Sequence, residues 1–449
     1  MIDKPCEDTM PDDTSGRFSR RTFVKTTTLA TAGLVMPRTL SAMTPDPASA
    51  EVIRVGVIGC GGRGSGAARD IMRAGGEGVR IVAMGDLFPD RLQRARDNLA
   101  KLTSEDAMVA TQFKVTPETS FSGFDAYEKV LASDIDLVIL ATPPGFRPMH
   151  LAAAVAAGKH IFMEKPVAVD PAGVRSVIAS AAAAKAKNLA IVAGTQRRHD
   201  PAYVEVMKRL HDGAIGHLTS GRVYWNQGGL WNAARQAEWS DSEWQIRNWL
   251  YFTWLSGDHI VEQHIHNIDV ANWAMQAHPV RAVGVGGRQW RTDAAYGHIF
   301  DHFAIDFEYP NNAHVMSMCR QIDGSANHVG ERFVGVQGMA DPGSQIFGAK
   351  PYKWEVPDKE KKNPYVEEHV DLLASIRAGK PLNEGQQVAE STLSAIMGRE
   401  AAYTGQLVEW DALLNATQDL TPPNKGFGPL VVPPVPMPGR TKIARTFNE

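Results

Sequence analysis

Cysteine is scarce in this chain. Three residues, Cys6, Cys60 and Cys319, are spread over 449 positions. They are too few and too scattered for a disulfide framework or a zinc site. Charge of one sign is not concentrated either. The formal net charge is −3 and no block of like charge stands out, so nothing argues for nucleic acid or an anionic membrane surface as a partner. Aromatic residues make up only 8% of the chain, which makes a local cluster of them informative. The weakly apolar segment Leu29–Met36 is too short, and too rich in Thr and Ala, to be a permanent membrane anchor. No internal repeat is visible. What is present is ordinary globular composition, 43% hydrophobic and 22% charged, at a length that suggests about two to three domains.

The most informative stretch is Val55–Gly64, VGVIGCGGRG. A β-branched apolar run feeds Gly59, Gly61 and Gly64 in a G-x-G-x-x-G pattern, and the sequence after it reads as a helix. Gly59 allows a tight turn. Gly61 lets a pyrophosphate approach the backbone, with Gly62 and Arg63 in the same loop. Gly64 lets the helix sit close to the strand. The helix start then presents N–H groups to phosphates. A second strand, Val79–Met84, leads to Asp86, about twenty positions past the last glycine, where a ribose-binding carboxylate belongs. Asp86 favours a free 2′-hydroxyl and repels a 2′-phosphate, and Leu87 and Phe88 offer no cation, so NAD is expected over NADP.

Strand and helix patterns then alternate: a helix at Pro89–Leu99, a strand at Asp136–Ala141, a helix at His150–Ala157, a strand at His160–Met163, a helix at Pro171–Ala186 and a strand at Leu189–Val192. This predicts an α/β fold, a doubly wound parallel Rossmann sheet over residues 51–198. Thr142-Pro143-Pro144 makes a rigid lip on the cleft. Glu164-Lys165-Pro166 follows the strand at 160–163, so Lys165 points into the cleft, where it would steady a developing alkoxide.

Residues 1–50 read as a leader outside the fold. Ser19-Arg20-Arg21-Thr22-Phe23-Val24-Lys25, the apolar segment and the small residues Ala48-Ser49-Ala50 resemble a twin-arginine export signal. The expected location is periplasmic or secreted, with the export machinery as a partner. That route carries folded proteins, so a dinucleotide would be loaded first and held tightly.

The glycine loop, the continuation Asp86-Leu87-Phe88-Pro89-Asp90-Arg91, Ala141-Thr142-Pro143-Pro144 and Glu164-Lys165-Pro166 together resemble the Gfo/Idh/MocA oxidoreductase family, over about residues 52–412. The resemblance implies a second domain, 199–412, with a large and mostly antiparallel open sheet, and helices within 364–405 that pack back on the first domain. It also implies that Lys165 lies near both nicotinamide and substrate hydroxyl, that the sheet's outer face joins subunits in a homo-oligomer, and that Thr142, Pro143 and Glu164 border the cofactor. A Pro-rich tail, 413–449, is expected to wrap the surface.

In Ser256–Ala274 the spacing fits one helix, with His259, Glu262, His266 and Asp269 on one face at about 100° per residue. Ile265-His266-Asn267-Ile268-Asp269 matches the family's catalytic-histidine stretch, so the resemblance assigns His266 as the base. Glu262 stands where the family usually has Asp, and one turn from His266 it is placed to orient the ring or bind substrate. A metal site on His259, Glu262 and His266 lacks a recognisable motif, and no metal is expected. After Tyr224 and Trp225, the residues Trp231, Trp239, Trp244, Trp249, Tyr251 and Trp254 form either a sugar-binding surface or a tryptophan-rich core or subunit interface. Trp225, Trp231, His259 and Arg198 are the candidate substrate contacts.

The expected activity is oxidation of a hydroxyl on a sugar, glycoside or polyol by hydride transfer to NAD. Two alternatives remain open at this point: glycoside hydrolysis by transient ring oxidation, elimination and re-reduction, and a non-catalytic sugar-binding protein on the same fold.

Overall fold

The computed structural model describes residues 52–447 except 108, 424 and 425. The leader and the signal motif lie outside the described residues.

Six strands form an all-parallel sheet in the order β3-β2-β1-β4-β5-β6. They are β1 (Ile53–Ile58), β2 (Val79–Asp86), β3 (Ser120–Ser122), β4 (Leu137–Leu140), β5 (His160–Met163) and β6 (Ile191–Ala193). The connecting helices are α1 (Gly62–Gly75), α2 (Pro89–Glu105), α3 (Ala126–Ala132), α4 (Arg147–Ala156) and α5 (Pro171–Ala186). Strands such as β4 are buried on both faces, as expected where helices cover the two sides. Local chemistry sets the helix starts. At α5 the Asp170 carboxylate accepts the Gly173 N–H at 2.7 Å, with Pro171 in the first turn.

Asp200 caps α6 (Pro201–His211) in the same way, and α6 leads to the second sheet. That sheet has nine strands: β7 (Leu218–Gln227), β8 (Arg281–Gly287), β9 (His302–Tyr309), β10 (Ala313–Gln321), β11 (His328–Gly335), β12 (Gly338–Asp341), β13 (Gln345–Gly348), β14 (Tyr352–Lys353) and β15 (Val408–Glu409). The order is β14-β13-β12-β11-β7-β10-β9-β8-β15. Only the β7–β10 pairing is parallel. The fold is thus a Rossmann-like parallel sheet followed by a mostly antiparallel one.

Between β7 and β8 the chain forms α7 (Asp241–Arg247), α8 (Thr253–Ser256), α9 (His259–Glu262) and α10 (Ile265–Met275). The single helix expected over 256–274 is therefore broken. Gly257 and Asp258 both adopt positive φ. The Asp258 carboxylate is fixed there by the Phe300 N–H at 2.9 Å and by the Tyr403 hydroxyl. A buried aspartate turned into the left-handed region ends α8 and caps α9. The interruption that separates His259 and Glu262 from His266 and Asp269 lies at Gln263–His264, between α9 and α10, so faces counted along one continuous helix do not apply.

α11 (Pro364–Arg377) places Leu372 and Leu373 in the core beneath β1 and α1. α12 (Gly385–Thr404) belongs to a hydrophobic cluster that runs from Val138 and Ile161 to Phe303 and Phe307, so both sheets share a core. Strands β9 and β10 alternate strictly, turning Phe303, Ile305 and Phe307 inward and leaving Met316 and Met318 exposed on the other face. The tail crosses the surface and returns to the core, where Arg445 pairs with buried Glu400 at 2.9 Å.

Candidate functional site

The glycine loop meets the geometry its sequence requires. Gly59 has φ +94°, and a Cβ there would lie 2.6 Å from the Ala141 carbonyl carbon. A Cβ on Gly64 would lie 1.8 Å from the Gly59 oxygen, so only glycine lets α1 approach β1 so closely. Gly61 and Gly62 face open space. They border a cleft of about 730 Å³ that also takes in Arg63, Asp86, Thr142 and Pro143. A helix start beside an open, Cβ-free loop is a cradle for a phosphate.

Asp86 ends β2 on the cleft wall. Its carboxylate accepts the Cys60 N–H at 2.6 Å and the Phe88 N–H at 2.9 Å, tying the glycine turn to β2. Burial pushes its pKa up, and the two backbone hydrogen bonds oppose that shift. The fold adds a cation that the neighbours Leu87 and Phe88 did not announce. Arg91, in the first turn of α2, also lines the cleft, its guanidinium donating to the Arg247 carbonyl at 3.1 Å.

Arg63 joins this cleft to a second cluster. Its Nε donates to Glu164 at 3.0 Å, and its guanidinium lies 5.0 Å from the Tyr365 ring. Glu164 is 4% exposed. Next to it, at the end of β5, Lys165 Nζ donates to the Glu262 carbonyl at 2.8 Å and approaches the Glu262 carboxylate at 3.3 Å. Both side chains are only 10% exposed. The Gln263 amide donates to the other carboxylate oxygen of Glu262 at 2.5 Å. Glu262 thus holds Lys165 rather than the His266 ring.

His266 opens α10. Its ring stacks on Trp225, centroids 5.5 Å apart at 24°, and hydrogen-bonds to no described side chain. Burial, then the charges of Lys165, Arg197 and Arg63, hold its pKa well below the ordinary imidazole value. A neutral imidazole beside a lysine ammonium can accept a proton while the ammonium stabilises the oxygen that loses it.

The other candidates are placed as follows. Trp231 is half exposed and lines the cleft with Trp249. Trp225 lies against His266. Thr142 Oγ1 is 3.1 Å from His150 Nδ1. His259 is 2% exposed and does not line the cleft. Arg198 turns away from it, paired with Asp269 at 2.8 Å, and Ser391 also binds that aspartate. Arg197, which the sequence reading passed over, takes the site-facing place. It pairs with buried Glu331 and lies 5.6 Å over the Trp225 ring, and Asn267 also donates to Glu331, at 2.5 Å. Residues 196–199 form a 3-10 turn, so strand alternation could not tell the two arginines apart. Among the described residues no group of three or more His, Cys, Asp or Glu is arranged to hold a metal ion.

Residues 53–193 match the family model described as "Oxidoreductase family, NAD-binding Rossmann fold". The chain is 33% identical over 164 residues to inositol 2-dehydrogenase 4 of Saccharopolyspora erythraea, covering 36% of this chain and 42% of that protein. It is 31% identical over 193 residues to a glycosyl hydrolase family 109 protein of Streptomyces coelicolor, covering 42% and 36%. The matched stretch thus spans less than half the length of these relatives. Among solved structures, scyllo-inositol dehydrogenase from Lactobacillus casei with bound NAD(H) and scyllo-inositol aligns with TM-score 0.60 at 20% identity, over 80% of this chain and all of that one. At that identity the likeness establishes the fold.

Proposed function

We propose that this chain is a Gfo/Idh/MocA oxidoreductase that oxidises a CH–OH group of a sugar, glycoside or polyol with NAD. The observation that carries the reading is Lys165, held by Glu262, close enough for its charge to act on a buried His266 stacked on Trp225, beside an NAD-binding Rossmann unit. The inositol 2-dehydrogenase relative supports the substrate class.

The residues fit the dinucleotide. The open glycine loop would hold its pyrophosphate and Asp86 its adenosine ribose, and Asp86 favours NAD over NADP. A bound nicotinamide supplies the hydride acceptor. His266 takes the proton of the substrate hydroxyl. Lys165 stabilises the oxygen as it gains negative charge, and the Glu262 carbonyl and carboxylate keep the ammonium aimed at it. Glu164 and Arg63 fix the loop that presents Lys165. Trp225 holds the imidazole plane from one side. The test is carbohydrate-dependent appearance of reduced-nicotinamide fluorescence in wild type and its loss in His266→Asn.

A second reading draws on the family 109 relative. The same base and lysine would serve net glycoside hydrolysis without net redox. Release of aglycone from an aryl glycoside with no external acceptor distinguishes it.

We further infer, from the motif at Ser19–Lys25, that the protein is exported folded by the twin-arginine route to the periplasm or beyond, carrying a tightly held NAD. Acid denaturation of purified protein should release nucleotide into the supernatant, and a supernatant without nucleotide would remove this inference. The exposed Val285, Met316, Met318 and Phe347 of the second sheet support a homo-oligomer joined through that face, which light scattering would test.

A further inference from the structure

The chemistry above leaves one aromatic cluster unused. Phe88 and Phe124 line the cleft on the β3 side of Asp86. A third ring arrives from the far end of the chain. Phe427 stacks on Phe88, centroids 5.8 Å apart at 12°, and meets Phe124 edge-on at 5.0 Å and 61°. Phe88 is 2% exposed, whereas Phe124 and Phe427 are 38% and 45% exposed. Two half-exposed rings, one of them on the cleft wall, form an apolar lip that is not fully covered by the protein itself.

The tail segment that carries Phe427 is firmly attached. The Ser242 N–H donates to the Gly428 carbonyl at 3.1 Å, and the Gly428 N–H donates back to Ser242 Oγ at 2.9 Å. The Gln245 amide donates to the Leu430 carbonyl at 2.8 Å, and the Leu430 N–H donates to Asp241 at 3.2 Å. These partners all belong to α7. That helix is clamped to the start of α2 by Arg247, which pairs with Asp90 at 3.1 Å and lies 3.8 Å over the Phe88 ring.

With this strand order, a carboxylate at the end of β2 takes the adenosine ribose, so the space toward β3 takes the adenine. We propose that Phe427 belongs to the dinucleotide site: with Phe124 it forms the aromatic lip against which the adenine packs, and Gly426–Leu430 is a strap that holds this lip and slows nucleotide release. The inference rests on the dinucleotide reading above. It gives the C-terminal tail a binding role, and it supplies a physical means of keeping a nucleotide in place. Flat rings beside adenine contribute through stacking and edge contacts, and the hydrogen bonds to α7 remove the freedom that would let the lip swing open.

The test uses the full-length protein loaded with NADH and chased with excess NAD, following the loss of NADH fluorescence. Phe427→Ala should release NADH about three- to tenfold faster, and Phe427→Trp should restore slow release. Ser242→Ala, which removes one of the strap's ties, should speed release as well. ADP should bind Phe427→Ala more weakly by a similar factor, while nicotinamide mononucleotide binding stays unchanged. Unchanged release in Phe427→Ala, or equal weakening of ADP and nicotinamide mononucleotide, would overturn the strap. If wild type binds neither NADH nor ADP, it is the dinucleotide assignment that falls.

Discussion

Replacing Lys165 with Met separates the lysine's structural part from its chemical part. The ammonium lies 2.8 Å from the Glu262 carbonyl and 3.3 Å from its carboxylate, and both side chains are 10% exposed. Breaking a buried pair by removing one partner costs about 3–5 kcal/mol, because the other charge is left behind. Glu262 keeps its Gln263 amide donor and some water, so the loss should fall at about 3 kcal/mol. On the proposed mechanism the same substitution also removes the cation that faces the developing alkoxide, a loss of about 10²–10³ in kcat. The two effects part in the double variant Lys165→Met/Glu262→Gln. It leaves no orphaned charge, so its melting temperature should recover most of the loss, yet its activity should stay down by about 10²–10³. Thermal unfolding and reduced-nicotinamide fluorescence measure the two quantities on the same samples. A double variant that regained activity along with stability would show that Lys165 is only a structural partner of Glu262, and the proposed role would fail.

Other consequences follow from the same geometry. Burial and three neighbouring cations hold the His266 pKa well below its ordinary value, so the base stays deprotonated into mild acid. The acid limb of kcat/KM should therefore lie clearly below pH 6.5 (about the free imidazole value), and a limb at or above it would contradict the assignment. Asp86→Ser should remove the carboxylate that repels a 2′-phosphate while leaving Arg91 on the cleft wall. The ratio of NADP to NAD affinity should then rise by about tenfold or more, as titration calorimetry would show. At His199, burial alone would lower the pKa, but the hydrogen bond with Asp371 and the Glu384 carboxylate 3.2 Å from Nε2 outweigh it and raise it to about 10. The resulting stability is fully present below about pH 6.5 and is lost as pH rises toward 10. Asp371 is half exposed, so the contribution should be about 1 kcal/mol. His199→Gln should lower the melting temperature at pH 6 and much less at pH 10.

Much of the first sheet could be read from local pattern. Strand β5 and helix α5 fall at the expected residues, because a buried parallel strand is a short continuous apolar run and α5 is announced by Asp170 and Pro171. The glycine loop was legible for a similar reason, since Gly59 and Gly64 answer to contacts only a few residues away or across one strand, and Gly61 to the open space a phosphate needs. What the sequence hid depends on contacts between distant segments. The break at Gly257–Asp258 is fixed by Phe300 and Tyr403, far along the chain, and an apolar periodicity carries no trace of them. Glu262 was legible as a carboxylate near the site, but its choice of Lys165 over His266 depends on how α9 meets β5. Arg197 and Arg198 are adjacent, and only the 3-10 turn decides which one faces Trp225. Phe427 gave no signal at all, because a phenylalanine in a Pro-rich tail has no local partner to reveal it.

The most direct test of the account is a single fluorescence measurement. Purified protein with NAD is challenged with a panel of inositols, aldoses and glycosides, and reduced nicotinamide is followed in wild type and in His266→Asn. At least one member should reduce the cofactor in wild type, and His266→Asn, still binding NAD, should not respond. Reduction of equal rate in both proteins, or NAD binding in wild type with no response to any polyol or sugar, would contradict the account.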